Sequence, residues 1–127
     1  MKIDTHGRID TSLCGTAVFV DAGASRVELV TTPQMAADEK GLVHGGFIFG
    51  AADYAAMVAV NHPHVVLGSS AVKFLKPVRV GQTVIVEARV EESRGIKHQV
   101  VAHATVDGQD VFEGNFTCFV LEKHVLD

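Results

Sequence analysis

The chain is organised around Gly41-Leu42-Val43-His44-Gly45-Gly46 and the apolar run behind it, Phe47 to Val60. That run is longer than a usual strand, and its only charge is Asp53. Gly50, Ala51, Ala52, Ala55, Ala56 and Ala59 keep it slim. A helix apolar nearly all round is a buried helix, and small side chains let other elements approach it closely. Carboxylates are rare inside such an element unless paired or functional, because burying a charge is costly. Asp53 is therefore the most informative residue in the sequence.

Everything else reads as strand. Leu13 to Asp21 and Arg26 to Thr32 form two strands joined by a turn at Ala22-Gly23-Ala24-Ser25. A loop from Thr32 to Val43 carries Pro33 and Asp38-Glu39-Lys40-Gly41. His62-Pro63 ends the helix, since the residue before a proline avoids the helical region. Val65 to Lys76 is the next strand, closed by Pro77 and a turn around Gly81. Thr83 to Glu92 alternates, with Val84, Val86, Ala88 and Val90 facing one way. Arg94-Gly95 turns the chain into Ile96 to Val106, where Ile96, His98, Val100, Ala102, Ala104 and Val106 share a face. Asp107-Gly108 is a strong hairpin signal, and Val111 to Leu121 is the last strand.

The layout is two strands, one buried helix, then four strands in a meander. Period-two alternation in adjacent hairpins means an antiparallel sheet with one covered face. One helix cannot cover both faces of about six strands, so the sheet must curl around it. The class is α+β, in a single domain spanning residues 1–127, with 1–12 loosely ordered. The remaining sheet face and edges must meet solvent or another copy, which predicts a homo-oligomer.

Charge and composition exclude several classes. A net charge of -4 gives no basic footprint for nucleic acid. The start, Met1-Lys2-Ile3-Asp4-Thr5-His6, has no signal-peptide core, and no segment is long enough to span a membrane. A cytoplasmic protein is expected. Cys14 and Cys118 form no CxxC pair and are expected as buried free thiols. His62, His64, His98, His103 and His124 show no metal spacing, so no metal or cofactor is expected. Neither GxGxxG nor GxxxxGK occurs between Gly41 and Gly50, which excludes a nucleotide loop.

The chemistry follows from the start of the helix. The first backbone N–H groups of a helix have no partner inside it, and they favour developing negative charge. Gly45 and Gly46 carry no side chain, so a carbonyl oxygen can approach these donors. That makes an oxyanion hole, able to stabilise a tetrahedral intermediate of acyl transfer by roughly 3–4 kcal/mol per good donor. Asp53 lies two helical turns further on, roughly 10–12 Å along the axis. A base or nucleophile must come within about 3 Å of the reacting carbon. If both act on one substrate, Asp53 must come from a neighbouring chain, with two antiparallel helices related by a twofold axis.

The segment His44-Gly45-Gly46-Phe47-Ile48-Phe49-Gly50-Ala51-Ala52-Asp53 resembles the His-Gly-Gly-x6-Asp signature of hotdog-fold acyl-CoA thioesterases of the PaaI-like branch. Lys73-Phe74-Leu75-Lys76-Pro77-Val78-Arg79-Val80-Gly81 is similar to that branch's strand ending in a proline, with a glycine four residues on. The resemblance implies a hotdog fold, a curved sheet wrapped around one long buried helix. It also implies active sites shared across a homodimer or homotetramer. His44 would orient the thioester or steady the loop. Relatives often carry an asparagine six residues before the histidine; here Asp38 departs from that pattern. Relatives also place a serine or threonine on the next strand to position water, a role open to Ser69 or Ser70 unless these are ordinary strand residues.

The expected function is hydrolysis of a small or aromatic acyl-CoA to the free acid and coenzyme A. Gly45 and Gly46 would hold the carbonyl oxygen, and Asp53 would act as general base or as nucleophile. Phe47, Phe49, Tyr54, Met57 and Phe74 are candidates for the acyl pocket. Lys73, Lys76, Arg79, Arg94 and Lys97 are candidates for the coenzyme A phosphates. The alternative is a non-catalytic hotdog protein that binds acyl-CoA as a sensor or carrier. Such regulators carry a DNA-binding segment, which is not expected in this acidic-leaning sequence. A hydratase of enoyl thioesters would need an Asp/His pair in another arrangement, and its motif is not seen.

Overall fold

The computed structural model describes all residues, 1–127. A four-residue helix α1 (Thr11–Cys14) precedes the hairpin β1 (Thr16–Asp21) and β2 (Ala24–Val30). A single 3-10 turn, Pro33–Met35, leads to the long helix α2 (Gly45–Val60). Four strands follow: β3 (Val65–Phe74), β4 (Thr83–Arg94), β5 (Lys97–Val106) and β6 (Gln109–Val120). This is the expected α+β hotdog arrangement, one antiparallel six-stranded sheet curled around one helix.

The strand order is β1-β2-β4-β5-β6-β3, which corrects the expected four-strand meander. Only β4, β5 and β6 form one; β3 lies at the far edge against β6, with Phe74 opposite Phe112 and Val65 opposite Val120. The reason is the connection after Phe74, which is no tight turn. Leu75 and Lys76 N–H donate to Val111 O, and Val80 N–H donates to Gly41 O. The chain thereby travels from the sheet edge to its middle, where β4 pairs with β2. The turn at Asp107-Gly108 is as the sequence predicts: both residues have positive φ (51° and 79°), the geometry of a two-residue hairpin.

The inner face holds Val84, Val86 and Ala88 of β4 and Val100, Ala102, Ala104 and Val106 of β5, all buried. Ile96 departs from the expected face; it sits in the β4–β5 turn and is 53% exposed. Phe112 and Phe116 of β6 are fully buried, and the Phe116 ring lies 5.8 Å from that of Phe49 on the helix. Ala51, Ala52, Ala55 and Ala56 have no exposure, so the helix is held close on several sides. One polar strand residue also reaches it: buried Ser25 donates to Ala55 O at 2.6 Å. Cys118 is buried as expected, whereas Cys14 on α1 is half-buried.

The helix ends at Asn61, which adopts the left-handed conformation that asparagine tolerates better than most residues. Its side chain accepts from Asp4 N–H (2.7 Å) and donates to Lys2 O (2.9 Å). Thr5 is buried, so the first residues are docked on the helix end rather than loose. No helix is long and apolar enough to cross a membrane.

Candidate active site

The helix begins at Gly45 because the chain before it is tied down. His44 N–H donates to Met35 O (2.9 Å), Val43 N–H to Val78 O (2.8 Å) and Ala37 N–H to Leu42 O (2.7 Å). Phe47 N–H already returns to His44 O at 3.1 Å, whereas the N–H groups of Gly45 and Gly46 have no acceptor within the chain. Two free donors at a helix N-terminus, with the dipole behind them, suit a developing oxyanion.

Side chains border both donors. The Phe74 ring packs against Gly45, 3.1 Å from where a Cβ would stand. The His44 ring folds over Gly46 in the same way, and it stands edge-on to Phe47 with centroids 6.1 Å apart. His44 is exposed and makes no side-chain cap to the helix. Phe47 is half-buried and Phe74 is 54% exposed. Beside them runs a cleft of about 270 Å³, bordered by Leu42, Gly45, Ile48, Phe74, Pro77 and Val78. His44, Gly45, Gly46, Phe47 and Phe74 thus come together, from two segments distant in sequence.

Asp53 stands apart from this group, two turns along the same helix. Its Oδ1 is inaccessible to solvent and has no hydrogen-bond partner. Burial pushes its carboxyl up to about 6 from the ordinary 3.8. Cys14 and Cys118 feel its charge. Burial and then Asp10 and Asp53 raise the Cys14 thiol, while burial and then Asp53 push Cys118 up to about 12. Both thiols stay protonated near neutral pH, so neither competes with Asp53 as a nucleophile.

Ser69 and Ser70 sit on opposite faces of β3, because their cross-strand partners are Thr117 and Phe116. Ser70 shares the inner face with Phe116, and Ser69 shares the outer one with Thr117. Asp38 closes a turn: its Oδ1 accepts from Lys40 N–H (3.0 Å) and Leu42 N–H (3.2 Å). The cleft walls Leu42, Val43, Val78 and Val111 were absent from the sequence-derived candidates. They meet through the bridges Ala36–Val43 and Leu42–Arg79, pairings between distant loops that no local pattern signals. No group of three or more His, Cys, Asp or Glu residues is placed to hold a metal.

The thioesterase superfamily profile matches residues 40–111, which contain His44, Gly45, Gly46, Phe47, Asp53, Ser69, Ser70 and Phe74. An uncharacterized protein from Pyrococcus horikoshii is 48% identical, with a TM-score of 0.98 over 100% of this chain and 98% of that one. A phenylacetic acid degradation-related protein from Ralstonia eutropha is 25% identical, with a TM-score of 0.76 over 85% of this chain and 86% of that one. A protein from Aquifex aeolicus named methylthioribose-1-phosphate isomerase is 52% identical over 96% of this chain but only 27% of its own length. A transcription factor FapR from Caldanaerobacter subterraneus is 31% identical over 67% of this chain and 42% of its own length. The chain therefore spans less than half of either of these two curated relatives. With the helix N-terminus, the curled sheet and the profile in agreement, the chain belongs to the thioesterase superfamily, with the hotdog fold.

Proposed function

We propose that this protein is an acyl-CoA thioesterase that releases a small or aromatic acid and coenzyme A. The observation that carries the reading is Asp53, a buried carboxylate oxygen with no donor, which a purely structural aspartate would not leave unsatisfied. The free N–H groups of Gly45 and Gly46 supply the complementary part. Asp53 is too far from the glycines of its own chain, so the working site joins Gly45 and Gly46 of one protomer to the aspartate of a second. The protein then works as a dimer at least, and a dimer of dimers covers more of the sheet.

The proton and electron pairs balance in either of two courses. As a base, the Asp53 carboxylate takes a proton from water while the hydroxide adds to the thioester carbon. The carbonyl oxygen becomes an oxyanion held by the two N–H groups. Collapse expels the coenzyme A thiolate, which takes up the proton. As a nucleophile, Asp53 itself adds to the carbon, and collapse of the oxyanion expels the coenzyme A thiolate and leaves a mixed anhydride. Water then cleaves that anhydride to the free acid and the Asp53 carboxylate, and the proton released goes to the thiolate. Ser70 faces the helix side from β3 and is the better placed of the two serines to hold water. His44 borders the oxyanion donors, and Phe47 and Phe74 border the entrance. No cofactor is needed, and the cytoplasm is the fitting compartment for such substrates.

A second reading is favoured by one observation, the match to FapR, whose name is that of a transcription factor. On that reading the fold binds acyl-CoA without cleaving it. A hydrolysis screen over short, long and aromatic acyl-CoAs, detecting the released thiol, separates the two. Turnover of any class supports the thioesterase; saturable binding with no thiol release supports the sensor.

A further inference from the structure

We propose that Lys40 and Arg79 form the docking site for the phosphate groups of the substrate's coenzyme A moiety, at the outer end of the cleft that leads to Gly45. The inference rests on the thioesterase reading and identifies how its substrate is gripped. A hollow of about 330 Å³ is lined by Asp38, Lys40, Leu42, Pro77, Arg79 and Gln82. It shares Leu42 and Pro77 with the 270 Å³ cleft beside Gly45, so the two adjoin. The inner part is walled mainly by Val43, Ile48, Val78 and Val111, with Lys76 as its one cation, and the outer part carries Lys40 and Arg79. This gradient matches the ligand: a thioester at one end, an uncharged arm, and phosphates at the other.

The two cations are available. The ion pairs of the chain are Lys2–Asp4, Arg26–Glu87, Arg94–Glu92 and His103–Glu87, which leaves Lys40 and Arg79 without a carboxylate. Asp38 lies in the same wall, but its Oδ1 is engaged by the Lys40 and Leu42 N–H groups. Gln82 Oε1 accepts from Arg79 N–H at 2.8 Å, so its amide N–H groups remain as donors. A guanidinium fork and an ammonium on the wall of one hollow suit a phosphate, which Arg can meet with two parallel hydrogen bonds.

The hollow is also braced. Val43 N–H donates to Val78 O and Val80 N–H to Gly41 O, both at 2.8 Å, which clamps the Lys40 segment to the Arg79 segment. Buried Thr31 holds the turn behind Arg79, donating to Gln82 O (2.6 Å) and accepting from Gly81 N–H (3.0 Å). Lys76 lines the inner cleft but its Nζ donates to Gln109 Oε1 at 3.2 Å, and the remaining cationic candidates lie elsewhere. Arg94 pairs with Glu92 at 2.7 Å beside Lys97 at the β4–β5 hairpin, and Lys73 faces Glu113 on the outer side of the sheet.

The test combines free coenzyme A binding by calorimetry with kcat/KM for one acyl group carried on coenzyme A and on N-acetylcysteamine, which lacks the phosphates. The variant Lys40→Gln/Arg79→Gln is expected to bind coenzyme A at least about tenfold more weakly, the loss of one good charge-assisted contact. Its preference for the coenzyme A ester should fall by a similar factor. Arg94→Gln/Lys97→Gln removes the same charge and should keep the wild-type affinity. A double variant at 40 and 79 that binds coenzyme A normally overturns the proposal while leaving the thioesterase reading intact. Equal weakening in both double variants overturns it too, as an effect of net charge alone. A wild type that binds no coenzyme A and cleaves neither ester overturns the proposal together with the thioesterase reading.

Discussion

The imidazole of His44 lies over Gly46: a Cβ on that glycine would come 2.9 Å from His44 Nε2. The glycine therefore does more than leave room for a substrate oxygen; it seats the histidine beside the free N–H groups. Gly46→Ala pushes the ring aside. His44 is exposed, so the fold tolerates the change and stability should move by no more than about 0.5 kcal/mol. Turnover is expected to fall about tenfold or more, read as kcat on the best acyl-CoA. Unchanged kcat at normal melting temperature would remove the seated His44 ring from the mechanism.

At Gly45 the neighbour is Phe74, 3.1 Å from the position of a Cβ. Gly45→Val forces that exposed ring outward and covers the N–H. Losing one oxyanion donor costs about 100- to 1,000-fold in kcat. Phe74→Ala separates the effects, because it frees space without covering the donor and should lower kcat far less. Equal losses in the two variants would argue that the ring, not the N–H, matters.

Asp53→Asn should lower turnover at least about a hundredfold, within the range for losing a base or nucleophile. Its effect on stability depends on pH. The folded carboxyl titrates near 6 against an ordinary 3.8, so protonation favours the folded chain. That stabilisation is complete below about 3.8 and is lost as pH rises through 6. Asparagine carries no such penalty, so the variant should be more stable than wild type at pH 8, by roughly 1–3 kcal/mol. The gain should vanish near pH 4. Melting curves at the two pH values measure this; a variant less stable at pH 8 would mark Asp53 as structural.

The same titration governs the reaction. Base and nucleophile both require the carboxylate, so kcat/KM should fall as pH drops through about 6. The limb should have unit slope and be missing from the residual activity of Asp53→Asn. A limb near pH 4 instead would show that Asp53 is solvated in the working enzyme.

Assembly is tested by mixing. Inactive Asp53→Asn chains and inactive Gly45→Val chains, once subunits exchange, form heterodimers with one intact site and one doubly damaged site. Recovery of up to about half of the wild-type activity per heterodimer is expected. No recovery after confirmed exchange would count against a site shared between protomers.

Much of the fold was legible because it is locally encoded. The alternation Val84-Val86-Ala88 and Val100-Ala102-Ala104 gave the buried face of two strands, and the structure buries all six. Asp107-Gly108 gave its hairpin through residues that accept positive φ. The place of β3 was not legible. Edge and middle strands differ in what they pair with, and a pattern along one strand carries no record of its neighbour. The turn role of Asp38 and the seat of His44 on Gly46 were hidden for the same reason.

The sequence by itself determined the class of the protein: one slim apolar helix, strands around it, and a lone aspartate behind His44-Gly45-Gly46. These follow from side-chain period, size and charge, which act between near neighbours. Tertiary structure alone decided that β3 crosses to the far edge, placing Phe74 against Gly45 and Lys76 and Pro77 along the cleft. It also put Lys40 and Arg79 on the wall of one hollow and left Asp53 Oδ1 without a donor. These outcomes depend on residues far apart in the chain, on backbone hydrogen bonds between loops and on the exclusion of water, and none of them can be read from the order of residues.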